Sequence, residues 1–394
     1  MSYALPVSWV CEKVEVGSDT GPAVLKGLAM KRLLAGALAV WLAGSAGGLS
    51  AGTAAAAPAR PTDTPWGAPA PAPTPPPVGE AAAADVVYAV GGARPPGIPW
   101  ADYTKRAGSG YFPNKKREII DYPAGAMFRW VPTMFAPDTQ RDNVTVAAAV
   151  DAATDSLDAV IRRGTEPAAV VGLSQGTMAL DKEQVRLAND PTAPPPHMLQ
   201  FSTFGSPMGK HAFGKSFLSG LFPPGSRLPL EDYTMPPEVE SQYDTNRVVA
   251  AYDGMADFPD RPDNLWSVAN ALIGAAIVHT PAAFTTPADV PAQNIRSTVN
   301  SRGATTTSYL IPINHLPLTL PLRFAGVPDD VVDQLDAFLQ PQVDAGYSRN
   351  DDPATRPVSV HPAGMDVVQV LGPETNSAVD DTLGKLRNFF GFTG

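Results

Sequence analysis

The stretch Ala168-Ala-Val-Val-Gly-Leu-Ser-Gln-Gly-Thr177 decides the fold of this chain. Its first half is a short apolar run that predicts a buried strand, and the residues from Thr177 to Asn189 are good helix formers. Between them lies Gly172-Leu173-Ser174-Gln175-Gly176, the Gly-x-Ser-x-Gly pattern of a sharp strand-to-helix turn that exposes a serine hydroxyl. The stretch therefore predicts a nucleophile, Ser174, at the end of a strand.

A second copy of the pattern, Gly48-Leu49-Ser50-Ala51-Gly52, lacks this context. No strand precedes it and no regular helix follows it, because it lies within an apolar Gly- and Ala-rich segment. The pattern alone is a weak signal in a chain with 34 glycines, so the flanking strand and helix favour Ser174.

Apolar runs and helical patterns alternate on both sides of Ser174. Further strands are predicted at 85–90, 198–204, 247–252 and 308–313, and further helices at 143–163 and 331–339. Such alternation favours an α/β fold, a mostly parallel sheet with helices on both faces. The long segments 205–246 and 260–307 are predicted to be lid-like insertions or additional helices packed on the core.

A serine hydroxyl needs a histidine that takes its proton and a carboxylate that orients the histidine. In the chain order serine, acid, histidine, each partner follows a later strand. Asp257 is the predicted acid because it lies a few residues past the fourth predicted strand, and Asp253 is the alternative. His315, at the end of the last predicted strand, is the predicted base. His279, which follows an apolar helical segment, is its competitor.

An acyl-transfer intermediate also needs two backbone N–H donors for its oxyanion. We expect one from Gln175, the residue after the serine. The other is expected from Gly92, in the turn Gly91-Gly92-Ala93-Arg94 after the first strand, where glycine permits close backbone approach. The sequence contains no GxGxxG, GxxxxGK[ST] or HExxH pattern, so neither a cofactor nor a metal is expected.

The N-terminal part of the chain predicts export. Lys31-Arg32, the apolar run 33–49 and an Ala-rich site before Pro58 are typical of a signal peptide, cleaved or kept as an anchor, with translation expected to start at Met30. A Pro- and Ala-rich linker follows. The predicted organisation is an N-terminal extension with signal segment (1–57), the linker (58–84), the folded domain (85–347) and a C-terminal tail with an amphipathic helix at 378–392 (348–394).

Charge and cysteine content exclude other classes of function. The chain has 29 Lys and Arg against 39 Asp and Glu, so it lacks the basic surface that a nucleic-acid partner requires. The single cysteine, Cys11, provides no disulfide framework and no thiolate metal site.

Several motifs occur together and in order over residues 85–347. They are Val87-Tyr88-Ala89-Val90-Gly91-Gly92, Tyr122-Pro123-Ala124, the Ser174 pentapeptide, Tyr252-Asp253-Gly254-Met255-Ala256-Asp257-Phe258-Pro259 and His315-Leu316-Pro317-Leu318. In this set the chain resembles the PE-PPE domain, a family of mycobacterial envelope-associated proteins similar to cutinases and other α/β-hydrolase serine esterases. The resemblance implies a cutinase-like α/β-hydrolase fold and a serine-dependent acyl reaction on a lipid.

A signal segment and linker stand where other family members carry PE or PPE modules, and this layout resembles the family's trehalose-lipid acyltransferases. It implies an acylated lipid or glycolipid as substrate, a membrane surface nearby, and a secreted or cell-envelope location. Met and aromatic side chains in the stretch 126–135 are candidates either for lining an acyl groove or for packing in the core. Because a fold does not fix a function, a catalytically inactive lipid-binding or interaction protein is the alternative.

Overall fold

The computed structural model describes residues 84–94, 99–126, 143–228, 232–324, 327–367 and 370. The predicted signal segment, the linker, most of the Met- and aromatic-rich stretch and the predicted helix at 378–392 lie outside these residues. Within the described ranges, no helix has the length and apolar character that crossing a bilayer requires.

The elements alternate between strand and helix as the sequence predicts. The strands are β1 (Val86–Val90), β2 (Lys116–Ile120), β3 (Ala168–Leu173), β4 (Leu199–Phe204), β5 (Lys210–His211), β6 (Gly214–Lys215), β7 (Thr245–Ala250), β8 (Ile295–Val299) and β9 (Thr305–Ile311). The helices are α1 (Trp100–Arg106), α2 (Val146–Arg163), α3 (Gln175–Ala188), α4 (Phe217–Leu221), α5 (Leu265–Ile277), α6 (Leu320–Phe324) and α7 (Asp329–Asp344).

Seven strands form one sheet in the order β2-β1-β3-β4-β7-β9-β8. Neighbours are parallel except at the edge, where β8 and β9 are antiparallel. The chain leaves β1 toward one side and β3 toward the other, so the carboxyl ends of these two strands form a switch point, where open α/β sheets bind ligands. With the nucleophile turn after β3, this is the predicted α/β-hydrolase architecture.

The sequence patterns indicate the five central parallel strands and miss the two edge strands, β2 and β8. The β2 sequence is Lys-Arg-Glu-Ile-Ile, and only its last residue is fully buried. In β8, Ile-Arg-Ser-Thr-Val, no residue is fully buried. A central strand covered on both faces needs a continuous apolar run, whereas an edge strand does not.

Helices cover both faces of the sheet. On one face, Leu157 of α2 and Leu180 of α3 are fully buried with Val170 of β3. On the other face, Val343 of α7 packs in the cluster that contains Val249 of β7 and the segment after α5. The serine turn therefore joins a strand and a helix that are both anchored in the core.

The two long insertions are built into this body. Segment 260–307 provides α5 and the edge strand β8, and segment 205–246 provides the β5–β6 hairpin and α4. Phe213 and Phe217 of segment 205–246 are buried. These parts pack on the core as additional elements, which was one of the two predicted outcomes.

The compact body also continues beyond residue 347, where the sequence places a domain boundary. Ile313, just after β9, forms bridge pairs with Val360 and Met365. Arg349 is buried and both of its terminal nitrogens bond to the carboxylate of Asp257. Residues 348–367 therefore belong to the domain, because they form bridge pairs with the end of β9 and place the charged Arg349 in its interior.

Candidate active site

Ser174 lies between β3 and α3 in a strained backbone conformation. Its φ of 50° places it in a region that non-glycine residues rarely adopt. Three hydrogen bonds hold the turn. The Ser174 N–H donates to the Phe204 carbonyl oxygen at 2.9 Å, and the Thr177 N–H and hydroxyl both donate to the Ser174 carbonyl oxygen, at 2.9 and 2.6 Å. Such strain is typical of a nucleophile turn, because it lifts the hydroxyl out of the sheet.

The two predicted oxyanion donors lie on either side of this serine. A Cβ added to Gly92 would lie 3.1 Å from the Cβ of Ser174, so the turn after β1 runs directly against the serine. Gln175 is the first residue of α3, and an N–H at this position has no partner within its own helix. Both backbone groups are thus available near the serine side chain.

His279 and Asp253, the two alternatives from the sequence, form a buried hydrogen-bonded pair. The Nδ1 of His279 lies 2.7 Å from Asp253 Oδ2, and both side chains are almost fully inaccessible to solvent. The other carboxylate oxygen, Oδ1, accepts the Met255 N–H at 2.9 Å. Because Nδ1 donates to the carboxylate, Nε2 is the acceptor nitrogen of the neutral ring. No hydrogen-bond partner for this Nε2 is found among the described residues.

Two glycines fix this pair by letting α5 approach the loop after β7. A Cβ on Gly254 would lie 2.1 Å from the Ala271 carbonyl oxygen, and one on Gly274 would lie 2.0 Å from the Tyr252 carbonyl oxygen. Backbone therefore packs on backbone at both points. His279, two residues past the end of α5, is held at a fixed distance from the loop that carries Asp253.

The imidazole of His279 also reaches the backbone beside the serine turn. A Cβ on Gly205 would lie 2.9 Å from Cε1 and 3.0 Å from Nδ1 of His279. Gly205 follows Phe204, whose carbonyl oxygen accepts the Ser174 N–H. The order along the sheet edge is therefore Ser174 after β3, His279 above the end of β4, and Asp253 after β7.

The predicted partnership of Asp257 with His315 is not formed. The carboxylate of Asp257 binds both terminal nitrogens of Arg349, at 2.5 and 2.9 Å, and accepts the Tyr252 N–H at 2.7 Å. Burial raises the pKa of the Asp257 carboxyl, and the facing Arg349 opposes that rise. Asp257 also donates its own N–H to the Asp253 carbonyl oxygen at 2.6 Å, so it shapes the tight loop that presents Asp253.

His315 belongs to a separate cluster at the far side of the sheet. Its Nδ1 lies 2.8 Å from Asp336 Oδ2, and Asp336 Oδ1 also accepts the Thr319 hydroxyl at 2.5 Å. Strand β9, which leads into His315, is three positions from β3 in the sheet, about 14 Å at the usual strand spacing. The pairing of Asp257 with His315 is therefore corrected: each has another partner, and Asp253 and His279 are the pair that the fold joins.

The family of this chain follows from its similarity to known proteins. Residues 113–348, more than half of the chain, match the PE-PPE domain. The chain belongs to the PE-PPE domain family. Three relatives come from Mycobacterium tuberculosis strain H37Rv. Diacyltrehalose acyltransferase Chp2 is 63% identical over 347 residues, which are 87% of this chain and 95% of that protein.

The other two relatives are more distant. SL1278 acyltransferase Chp1 is 42% identical over 249 residues, 63% of this chain and 58% of that protein. Esterase PE16 is 29% identical over 262 residues, 64% of this chain and 48% of that protein. The domain is therefore shared by relatives whose names describe acyl transfer and by one whose name describes ester hydrolysis.

His211 and His315 are further histidines of this PE-PPE domain that contact polar groups. Burial, together with Arg349 and Arg247, lowers the pKa of His211 to about 3, so its ring is neutral and donates from Nε2 to the Ala256 carbonyl oxygen at 3.1 Å. Around His315, one ligand atom each from His315, Asp333 and Asp336 lie within 4.8 Å of one another, a spacing compatible with a cation. The hydrogen bond between His315 and Asp336 accounts for the closeness of these two groups, and Asp333 Oδ1 lies 3.7 Å from the same imidazole nitrogen.

The buried ion pair predicts a structural role for Asp257 in this PE-PPE domain. Arg349→Met leaves the Asp257 carboxylate buried with no cationic partner, so we expect the free energy of unfolding to fall by about 3 to 5 kcal/mol. Urea unfolding followed by tryptophan fluorescence measures it.

The control is Arg323→Met, which removes a surface ion pair whose Nε to Asp329 Oδ1 distance is 2.9 Å. We expect this control to change stability by about 1 kcal/mol or less. If both variants unfold like the wild type, the buried ion pair of Asp257 and Arg349 does not have the structural role described above.

Proposed function

We propose that this chain is a serine acyltransferase that moves acyl groups onto or between trehalose-type lipids through an acyl-enzyme on Ser174. The observation that carries the proposal is the buried Asp253–His279 pair, whose imidazole ring lies against Gly205, the residue after the Phe204 carbonyl that accepts the N–H of strained Ser174. The kinship with two acyltransferases and an esterase supports an enzyme that acts on esters.

In the first half of the proposed reaction, His279 Nε2 accepts the hydroxyl proton as Ser174 Oγ attacks the carbonyl carbon of the acyl donor. Asp253 holds Nδ1 protonated and stabilises the imidazolium that forms. The N–H groups of Gly92 and Gln175 donate to the oxyanion. When the tetrahedral intermediate collapses, the ester bond of the donor breaks, and His279 returns the proton to the departing alcohol.

The second half repeats these steps with a new hydroxyl. The acceptor alcohol gives its proton to His279 Nε2 and attacks the acyl-enzyme, and Ser174 leaves with the proton restored. Water in place of the acceptor would give hydrolysis, so transferase and esterase differ only in which hydroxyl reaches the acyl-enzyme. The 63% identity to a diacyltrehalose acyltransferase over 95% of that protein favours a trehalose-lipid hydroxyl as acceptor.

The place of reaction is part of the proposal. Lys31-Arg32 and the apolar run 33–49 have the order of a signal peptide, and a Pro-rich linker separates them from the domain. We place the domain outside the cytoplasmic membrane, secreted or attached to the cell envelope, where acylated glycolipids are within its reach.

The two buried histidines form a matched pair for a mutational test. Each donates from Nδ1 to a buried carboxylate, at 2.7 Å in His279 and 2.8 Å in His315. Because only His279 lies beside the serine turn, we expect His279→Ala and Ser174→Ala to lower kcat on a short-chain aryl ester by roughly 10³-fold or more. His315→Ala should retain activity within about tenfold of the wild type, with stability as its main loss.

Fluorophosphonate labelling completes this test. The wild type should be modified stoichiometrically, and Ser174→Ala should not be modified. An inactive His315→Ala beside an active His279→Ala would contradict the assignment of the base. A folded wild type that is neither labelled nor active would favour a lipid-binding protein on a hydrolase scaffold.

The nature of the acceptor requires product analysis. With an acylated trehalose lipid as donor and radiolabelled trehalose or monoacyltrehalose as acceptor, the label should move into more highly acylated products. These products should depend on Ser174. Release of free fatty acid alone, with no labelled acylated trehalose, would show a hydrolase instead of a transferase.

A further inference from the structure

We infer that Tyr122 and Trp100 are positioning residues that set the direction of the oxyanion donors in the turn after β1. The inference rests on the proposed function, because it concerns how the Gly92 N–H is presented to the reacting ester. The sequence indicates a role for neither residue, although Tyr122 belongs to one of the motifs that carry the family resemblance. The structure places both side chains behind the turn, on two separate elements.

The two side chains bind the carbonyl oxygens of both glycines in the turn. The Tyr122 hydroxyl donates to the Gly91 carbonyl oxygen at 2.7 Å and lies 3.3 Å from the Gly92 carbonyl oxygen. The Trp100 indole N–H donates to the Gly92 carbonyl oxygen at 2.8 Å. Tyr122 is 1% exposed and Trp100 is 8% exposed, so these bonds are shielded from competition with water.

The direction of a carbonyl determines the direction of the next N–H. In a planar trans peptide, the C=O of one residue and the N–H of the following residue point in opposite directions. When Tyr122 holds the Gly91 carbonyl on one side of the turn, the Gly92 N–H must point to the other side. Gly92 itself lies against Ser174, with its added Cβ 3.1 Å from the serine Cβ, so a Gly92 N–H held in a fixed direction would be presented close to the serine. Trp100 fixes the following peptide in the same manner.

The turn has little means of holding this orientation by itself. Glycine backbone is conformationally permissive, and Gly91 and Gly92 lie beyond the end of β1, where the sheet no longer bonds their carbonyls. Gly91 is needed for the contact, because an added Cβ would lie 2.6 Å from Cζ2 of Trp100. Trp100 and Tyr122 support each other in an edge contact with ring centroids 6.0 Å apart.

Oxyanion donors act mainly after the tetrahedral intermediate begins to form. Loss of their alignment should therefore lower kcat and leave KM nearly unchanged. Removing one donor outright costs roughly 10² to 10³ in kcat in a serine hydrolase, and a misaligned donor should cost less. We expect Tyr122→Phe, which removes only the hydroxyl, to lower kcat about tenfold or more.

The experiment compares Tyr122→Phe with Tyr243→Phe in the full chain. Tyr243 is also buried, and its hydroxyl also donates to a backbone carbonyl oxygen at 2.7 Å, that of Pro194. This bond lies near the amino ends of β4 and β7, whereas the serine turn lies at the carboxyl end of β3. Turnover of an aryl ester and inhibition by an aryl boronic acid are measured for both. The boronic acid forms a tetrahedral adduct on the serine, so its Ki should rise for Tyr122→Phe by about the factor by which kcat falls. Tyr243→Phe should change neither quantity beyond about twofold.

The outcomes separate a positioning role from a structural one. Trp100→Phe keeps an aromatic ring but removes the indole N–H, and it should also lower kcat. The inference is overturned if Tyr122→Phe keeps wild-type kcat and boronate affinity, whether or not its melting temperature falls. Absence of turnover in the wild type, or turnover that survives Ser174→Ala, would instead overturn the proposed function and this inference with it.

Discussion

The strained backbone of Ser174 is the constraint on which the rest of the site depends. A non-glycine residue at a φ of 50° costs on the order of 1 to 3 kcal/mol and persists only where its surroundings impose it. Here β1 and β4 impose it. Gly176 sits so close to β1 that an added Cβ would lie 2.4 Å from the Val90 carbonyl oxygen, and β4 accepts the Ser174 N–H. The same two strands lead into Gly92, which lies against Ser174, and Gly205, which lies against His279.

A second layer of interactions keeps Asp253 in place. The loop after β7 carries Asp253, and Asp257 closes that loop by accepting the Tyr252 N–H and by pairing with buried Arg349. A buried ion pair is retained when breaking it would strand a charge in a low dielectric. The residues beyond 347 are thereby coupled to the candidate site, since Arg349 reaches from the last part of the domain to the loop that carries Asp253.

The sequence predicts the serine, its turn and the central parallel sheet because these depend on local patterns. The apolar run before Ser174 and the helix after it are sufficient to place this serine at the strand-to-helix turn. The choice between Asp253 and Asp257 depends on Arg349, about ninety residues away, and local spacing cannot contain that information. Chain order favours His315, at a strand end, over His279, whereas the fold packs α5 on the loop after β7 through the close contacts of Gly254 and Gly274 and brings His279 against Gly205.

A crystal structure of the chain after reaction with a fluorophosphonate tests the arrangement most directly. The account predicts phosphorus on Ser174 Oγ and the phosphoryl oxygen about 2.7 to 3.1 Å from the backbone nitrogens of Gly92 and Gln175. It also predicts His279 Nε2 within hydrogen-bond distance of an oxygen of the adduct, with Nδ1 still bound to Asp253. An adduct oxygen contacted by His315 in place of His279, or a phosphoryl oxygen facing away from the Gly92 turn, would contradict it.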